Sequence, residues 1–99
     1  MNFRELPDTV QQAVRFLAQA AREDGVKLFV FGSFARGDAR PNSDLDLGYE
    51  LPPGSHPLAE TRLHKAVDQL PTIRPVDLVD FGQVSDAFRD LAGKAVIDL

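Results

Sequence analysis

Gly32-Ser33-Phe34-Ala35-Arg36-Gly37, followed by Ser43-Asp44-Leu45-Asp46-Leu47, is the stretch on which the fold turns. Ahead of it, Val26-Lys27-Leu28-Phe29-Val30-Phe31 is β-branched and aromatic and lies between Gly25 and Gly32, which predicts a buried strand. Gly32 permits a sharp turn without a Cβ clash, so backbone N–H groups there can approach an anion closely. Ser33 adds a hydroxyl and is placed to cap a short helix begun by Phe34-Ala35-Arg36. A helix start gathers unpaired N–H groups and partial positive charge, which suits phosphate.

Downstream, Gly37 and the segment through Pro41 and Asn42 turn the chain back. The next predicted strand is Ser43-Asp44-Leu45-Asp46-Leu47-Gly48-Tyr49-Glu50. Alternation places Asp44 and Asp46 on one face and Leu45 and Leu47 on the other. A strand rises roughly 3.3 Å per residue, so the two carboxylates start roughly 6–7 Å apart at the backbone. Two metal ions about 3.5–4 Å apart fit such a pair. Oxygen-only ligands favour a hard cation, and Mg²⁺ commonly fills its remaining positions with water and substrate phosphates. A Gly-Ser turn or an Asp-x-Asp strand alone is commonplace; the ordered succession of strand, turn, helix start and carboxylate strand is specific.

Near the N-terminus, Leu6-Pro7-Asp8 opens a helix, with Val10, Val14, Leu17 and Ala21 at helical spacing toward the sheet. Leu51-Pro52-Pro53-Gly54-Ser55-His56-Pro57 reads as a loop, too short to separate domains. A second helix is predicted from about Leu58 to Leu70, burying Ala59, Leu63, Ala66, Val67 and Leu70 and ended by Pro71. Ile73 to Phe81 is the third predicted strand. From Val84 onward, Phe88, Leu91, Ala92 and Ala95 recur at helical spacing, with Gly93 costing that helix about 1 kcal/mol relative to Ala. Ala95-Val96-Ile97-Asp98-Leu99 fits either a helix end or a short strand.

Ninety-nine residues permit one domain, 1–99, with one modest core. The apolar fraction of 43% and charged fraction of 26% are ordinary for a globular chain. With no cysteine, disulfides and thiolate metal sites are excluded. No charged start leads into an apolar stretch and no apolar run approaches spanning length, so a cytoplasmic location and no membrane partner are expected. A net charge of −4 without a basic, aromatic-interleaved stripe argues against stable nucleic-acid binding.

Gly32-Ser33, Arg36-Gly37 and Ser43-Asp44-Leu45-Asp46-Leu47 together resemble the signature of the DNA polymerase β-like nucleotidyltransferase superfamily, in particular its minimal nucleotidyltransferase branch. The resemblance covers nearly the whole chain. It implies a small α/β fold, the polymerase β-like palm core, with a mixed β-sheet and helices packed against it. It also implies a third carboxylate on a later strand. Asp77, between Val76 and Leu78, fits the hydrophobic-Asp-hydrophobic pattern, whereas Asp80 has the opposite parity and suits a strand end or turn. On this reading Asp44, Asp46 and Asp77 are the catalytic carboxylates and the ligands of two Mg²⁺ ions. Gly32 and Ser33 would hold the β- and γ-phosphates of ATP, and Asp77 could take the proton of the attacking hydroxyl. Arg36 suits either a bidentate phosphate contact or an ion pair, with Asp38 or a nearby strand carboxylate, that braces the loop.

Larger relatives add a helical domain that shapes the acceptor pocket. None is expected in 99 residues, so the acceptor side would come from a second subunit, a separate protein or the acceptor itself. The resemblance implies a HEPN-type RNase toxin as partner, with AMP passed from ATP to a tyrosine of that toxin, this chain being the antitoxin. Two alternatives stand beside it: a small-molecule (aminoglycoside-type) nucleotidyltransferase acting as a homodimer, and a non-catalytic antitoxin that neutralises by binding alone. Blander roles are expected elsewhere: His56 solvated in its loop, His64 on an exposed helix position, Phe29, Phe31 and Phe34 in packing, and Tyr49 on a strand face.

Overall fold

The chain forms a four-stranded sheet in the order β3-β2-β1-β4, seen in a computed structural model that describes every residue except 71 and 73. Its elements are α1 (Asp8–Glu23), β1 (Lys27–Phe31), α2 (Ser33–Arg36), β2 (Leu45–Glu50), α3 (Ala59–Asp68), β3 (Val76–Asp80), α4 (Asp86–Ala92) and β4 (Ile97–Asp98), preceded by a 3₁₀ turn at Phe3–Glu5. β1 runs antiparallel to β2 and to β4, while β2 and β3 are parallel. This is the mixed sheet of a small α/β fold, as the sequence led one to expect.

The two faces of the sheet are built from alternate residues of the same strands. Leu28 and Val30 of β1, with Leu45, Leu47 and Tyr49 of β2, enter the main core. There they meet Val10, Val14, Leu17, Ala18 and Ala21 of α1 and Ala59, Leu63 and Ala66 of α3. The apolar stripe predicted for α1 is this surface. Phe29, Phe31 and Phe81 form a second, smaller cluster, with Val79, Val84 and Ala92 against it. The three rings meet edge-on, Phe81 lying 4.7 Å from Phe29 and 5.1 Å from Phe31 between centroids. Such contacts are favoured by the ring quadrupoles. Gly48, opposite Phe29 in the β1–β2 pairing, leaves the space these rings occupy, since a Cβ there would overlap Phe29 and Phe81.

Element ends differ from expectation for physical reasons. β2 begins at Leu45, not Ser43. Ser43 is held in a turn, its N–H donating to the Arg40 carbonyl (3.0 Å) and its Oγ accepting from the Arg40 N–H (2.7 Å). β3 is shorter than predicted and begins at Val76 because Pro75 has no N–H to give the ladder; the predicted start at Ile73 and the helix stop at Pro71 lie outside the described residues. α3 ends at Asp68, with Val67 half-buried and Leu70 buried just beyond. α4 starts at Asp86, capped by Ser85 Oγ accepting from the Phe88 N–H (3.2 Å), and stops against Gly93. Residues 97–98 are strand, pairing with Phe29 and Val30 of β1.

Candidate functional site

Asp46 of β2 and Asp77 of β3 are register partners in the parallel pair, so their side chains leave the same face side by side. That is the face of Phe29 and Phe31, away from α1 and α3. Asp80 pairs with Tyr49 and has the opposite parity. Its Oδ1 accepts from the Gly82 N–H at 2.8 Å, a turn-closing bond at the strand end. Asp44 stands outside β2, exposed in the connector ahead of it.

Burial pushes the Asp46 carboxyl above its ordinary 3.8, and the negative charges of Asp77 and Asp44 push it further the same way. The nearby Arg36 guanidinium pulls in the opposite direction without cancelling the rise, and a hydrogen bond with Asp77 also favours the protonated form. Burial and like charges held close together both favour the protonated form. Among the described residues no three His, Cys, Asp or Glu side chains stand ready as a metal ligand set. The donors present are all carboxylate oxygens, and the repulsion raising Asp46 is relieved by a hard divalent cation, so the residues fit such an ion.

Gly32 shapes the other wall. Its φ of 74° and ψ of −152° lie in a region open essentially to glycine alone. A Cβ at Gly32 would run into the Asp46 carboxylate, so the turn and the carboxylate are packed as closely as the backbone permits. Ser33 does not cap α2, a correction to the expected arrangement. The N-cap is Gly32, no side-chain cap bond is made, and Ser33 is the first helical residue. The turn carries the chain into α2 one residue early, which moves the Ser33 hydroxyl past the capping position. The Ser33 carbonyl accepts from the N–H groups of Gly37 and Asp38 at 3.0 and 3.1 Å, closing the helix after one turn. The first amides of α2 have no carbonyl one turn back within the helix to bond.

Arg36 makes the bracing contact, its Nε lying 3.3 Å from Asp38 Oδ2 with both side chains more than half exposed (57% and 62%). An exposed pair of this kind contributes about 0–1 kcal/mol. Arg36 also borders a cavity of about 400 Å³ with Gly32, Asp46, Phe31, Phe88 and Lys94. Lys94 and the α4 wall escaped the sequence reading. The available signal was a cation between Ala92 and Ala95 of an amphipathic stretch, and nothing local ties it to Asp46. His64 is exposed and meets Tyr49 edge-on at 6.1 Å, and His56 is exposed with Nδ1 accepting from the Leu58 N–H (3.0 Å). Tyr49 is buried, its hydroxyl donating to Glu60 at 2.9 Å, and burial with that bond pushes the phenol above its ordinary 10.0.

The chain is similar throughout its length to a solved, provisionally assigned minimal nucleotidyltransferase. The two are 30% identical with a TM-score of 0.69, and the match covers 100% of this chain and 97% of that one. A provisionally assigned nucleotidyltransferase from Sulfolobus solfataricus matches at 18% identity and a TM-score of 0.41, over 93% of this chain and 86% of the other, too remote to weigh. No functionally curated protein matches. Residues 9–97, which include the Gly32 turn and all three carboxylates, match the nucleotidyltransferase domain model, and to that family the chain belongs.

Proposed function

We propose that this chain transfers AMP from ATP to a protein hydroxyl, a tyrosine of a HEPN-type RNase toxin, and so acts as that toxin's antitoxin. Family membership supports nucleotidyl transfer as the general reaction. The observation that carries the reading is the Asp46–Asp77 pair facing the glycine turn, with a carboxyl held high by burial and by its neighbours' charge.

Asp44, Asp46 and Asp77 would hold Mg²⁺, which when bound supplies positive charge for the attacking hydroxyl and the departing pyrophosphate. The backbone at Gly32 and Ser33 would bind the β- and γ-phosphates, and the Arg36 and Lys94 charges beside the cavity favour the same anionic chain. The acceptor oxygen forms a bond to the α-phosphorus as the bond to pyrophosphate breaks, and the electron pair leaves with pyrophosphate. Asp77, exposed at the edge of the site, is open to a bulky acceptor and would take the hydroxyl proton. Positioning and charge carry this chemistry, with little covalent work by the protein.

Intact-mass analysis of proteins co-purifying with the chain, before and after ATP and Mg²⁺, tests the proposal. An AMP-sized increment on the partner, absent with Asp44→Ala/Asp46→Ala, is expected. A partner that stays unmodified yet neutralised would move the reading to inhibition by contact. Labelling of a small molecule instead would move it to a small-molecule transferase.

A further inference from the structure

Asp44 is the carboxylate that lies outside the sheet, exposed, with no strand to fix its direction. Both peptide groups flanking it are nevertheless held. The Leu45 N–H donates to the Pro75 carbonyl at 2.9 Å. The Ser43 carbonyl accepts from Arg74 Nη1 at 2.6 Å. A peptide unit is planar, so fixing the Ser43 oxygen and the Leu45 nitrogen sets the two planes that meet at the Asp44 Cα.

Arg74 has a second contact. Its guanidinium carbon lies 5.1 Å from the centroid of the Phe34 ring, and Phe34 is the buried second residue of α2. One half-buried side chain therefore spans α2, which follows the glycine turn, and the segment that carries Asp44, from a base immediately before β3. The flat guanidinium suits this use, because it can stack on a ring through its face while donating through its rim. Among the described residues it makes no ion pair. Arg36, by contrast, spends its Nε on the exposed Asp38.

We propose that Arg74 is a positioning residue that aims Asp44 at the Asp46–Asp77 pair by clamping the Ser43 carbonyl and stacking on Phe34. The proposal rests on the nucleotidyl-transfer reading for its purpose, though not for its geometry. Arg74 reaches the reacting groups through the backbone of Asp44 and touches no substrate in this role.

The test compares the full chain with Arg74→Met, which keeps much of the stem and removes donor and plane, and with Arg74→Lys, which keeps charge and a donor. Amide hydrogen exchange, followed by NMR on metal-free protein, reads the clamp itself. In Arg74→Met the Leu45 amide should exchange about tenfold faster while the core amide of Val30 is unchanged. Arg74→Lys should fall between. Titration with Mn²⁺ alone reads the consequence, with affinity expected to fall about tenfold in Arg74→Met and to be partly rescued in Arg74→Lys. A folded Arg74→Met with wild-type exchange at Leu45 would overturn the clamp, as would unchanged Mn²⁺ affinity. If Arg74→Met does not fold, Arg74→Lys decides: wild-type values in both measurements overturn the proposal. Wild type that binds no Mn²⁺ would instead sink the metal-dependent reading, and the exchange measurement would still judge the clamp.

Discussion

The two faces of one sheet have opposite characters. Leu45 and Leu47 of β2 point into a core sealed by α1 and α3, and both are almost fully buried. Asp46, between them, points to a face covered by three phenylalanines and the short α4, which buries none of its residues. Leu91 of α4 is 70% exposed and Phe88 39%. Residues one position apart thus face a sealed core on one side and the candidate site on the other. The sealed face supplies the rigidity that lets like charges be held together on the open one.

Asp46→Asn should separate the two faces most sharply. Nucleotidyl transfer should fall about a thousandfold or more, about 4 kcal/mol of barrier, while the metal-free protein melts at the same temperature or a few degrees higher. Steady-state rates beside thermal melts check both halves. Leu47→Ala should do the reverse, costing about 3 kcal/mol by urea unfolding while any remaining folded protein keeps its activity. Gly32→Ala should breach both sides, adding backbone strain of about 1–3 kcal/mol and displacing the Asp46 carboxylate, so that stability and rate fall together.

A smaller effect sharpens the contrast through pH. The Asp46 carboxyl sits above 3.8 in the folded chain, so between that value and its raised one the native state binds more protons than the unfolded state. Its contribution to stability therefore declines as pH rises through that interval. Asp46→Asn should flatten this slope, and Mg²⁺ should offset it in wild type, both visible in melts across pH 4 to about 8. The smallest change expected is Leu91→Ser, within about 0.5 kcal/mol of wild type, because that side chain lies mostly in solvent.

Much of this was legible because it is local or periodic. The α1 stripe, the buried β1 and the parity that sets Asp77 apart from Asp80 follow from repeats of 3.6 and 2. The glycine turn was legible because its conformation excludes other residues. What stayed hidden depends on partners distant in sequence. Asp44 leaves the strand because Arg40 and Ser43 bond each other in a turn, which strand alternation does not reveal. Residues 97–98 become strand only because β1 offers an edge 67 positions earlier, as in the Val30–Ile97 pairing. Arg74 and Lys94 reach the site through the fold, and nothing in their neighbours' spacing announces it.

β3 ends the strand order, which gives Asp77 a further consequence. An outermost strand is a template for joining another chain edge to edge, and charges along it discourage that pairing. Without Asp77 and Asp80 the segment Val76-Asp77-Leu78-Val79-Asp80 would be a short apolar ribbon at the margin of the sheet. The carboxylate proposed to receive a proton is therefore also a gatekeeper of solubility, and its loss would expose the protein to self-association as well as to inactivity.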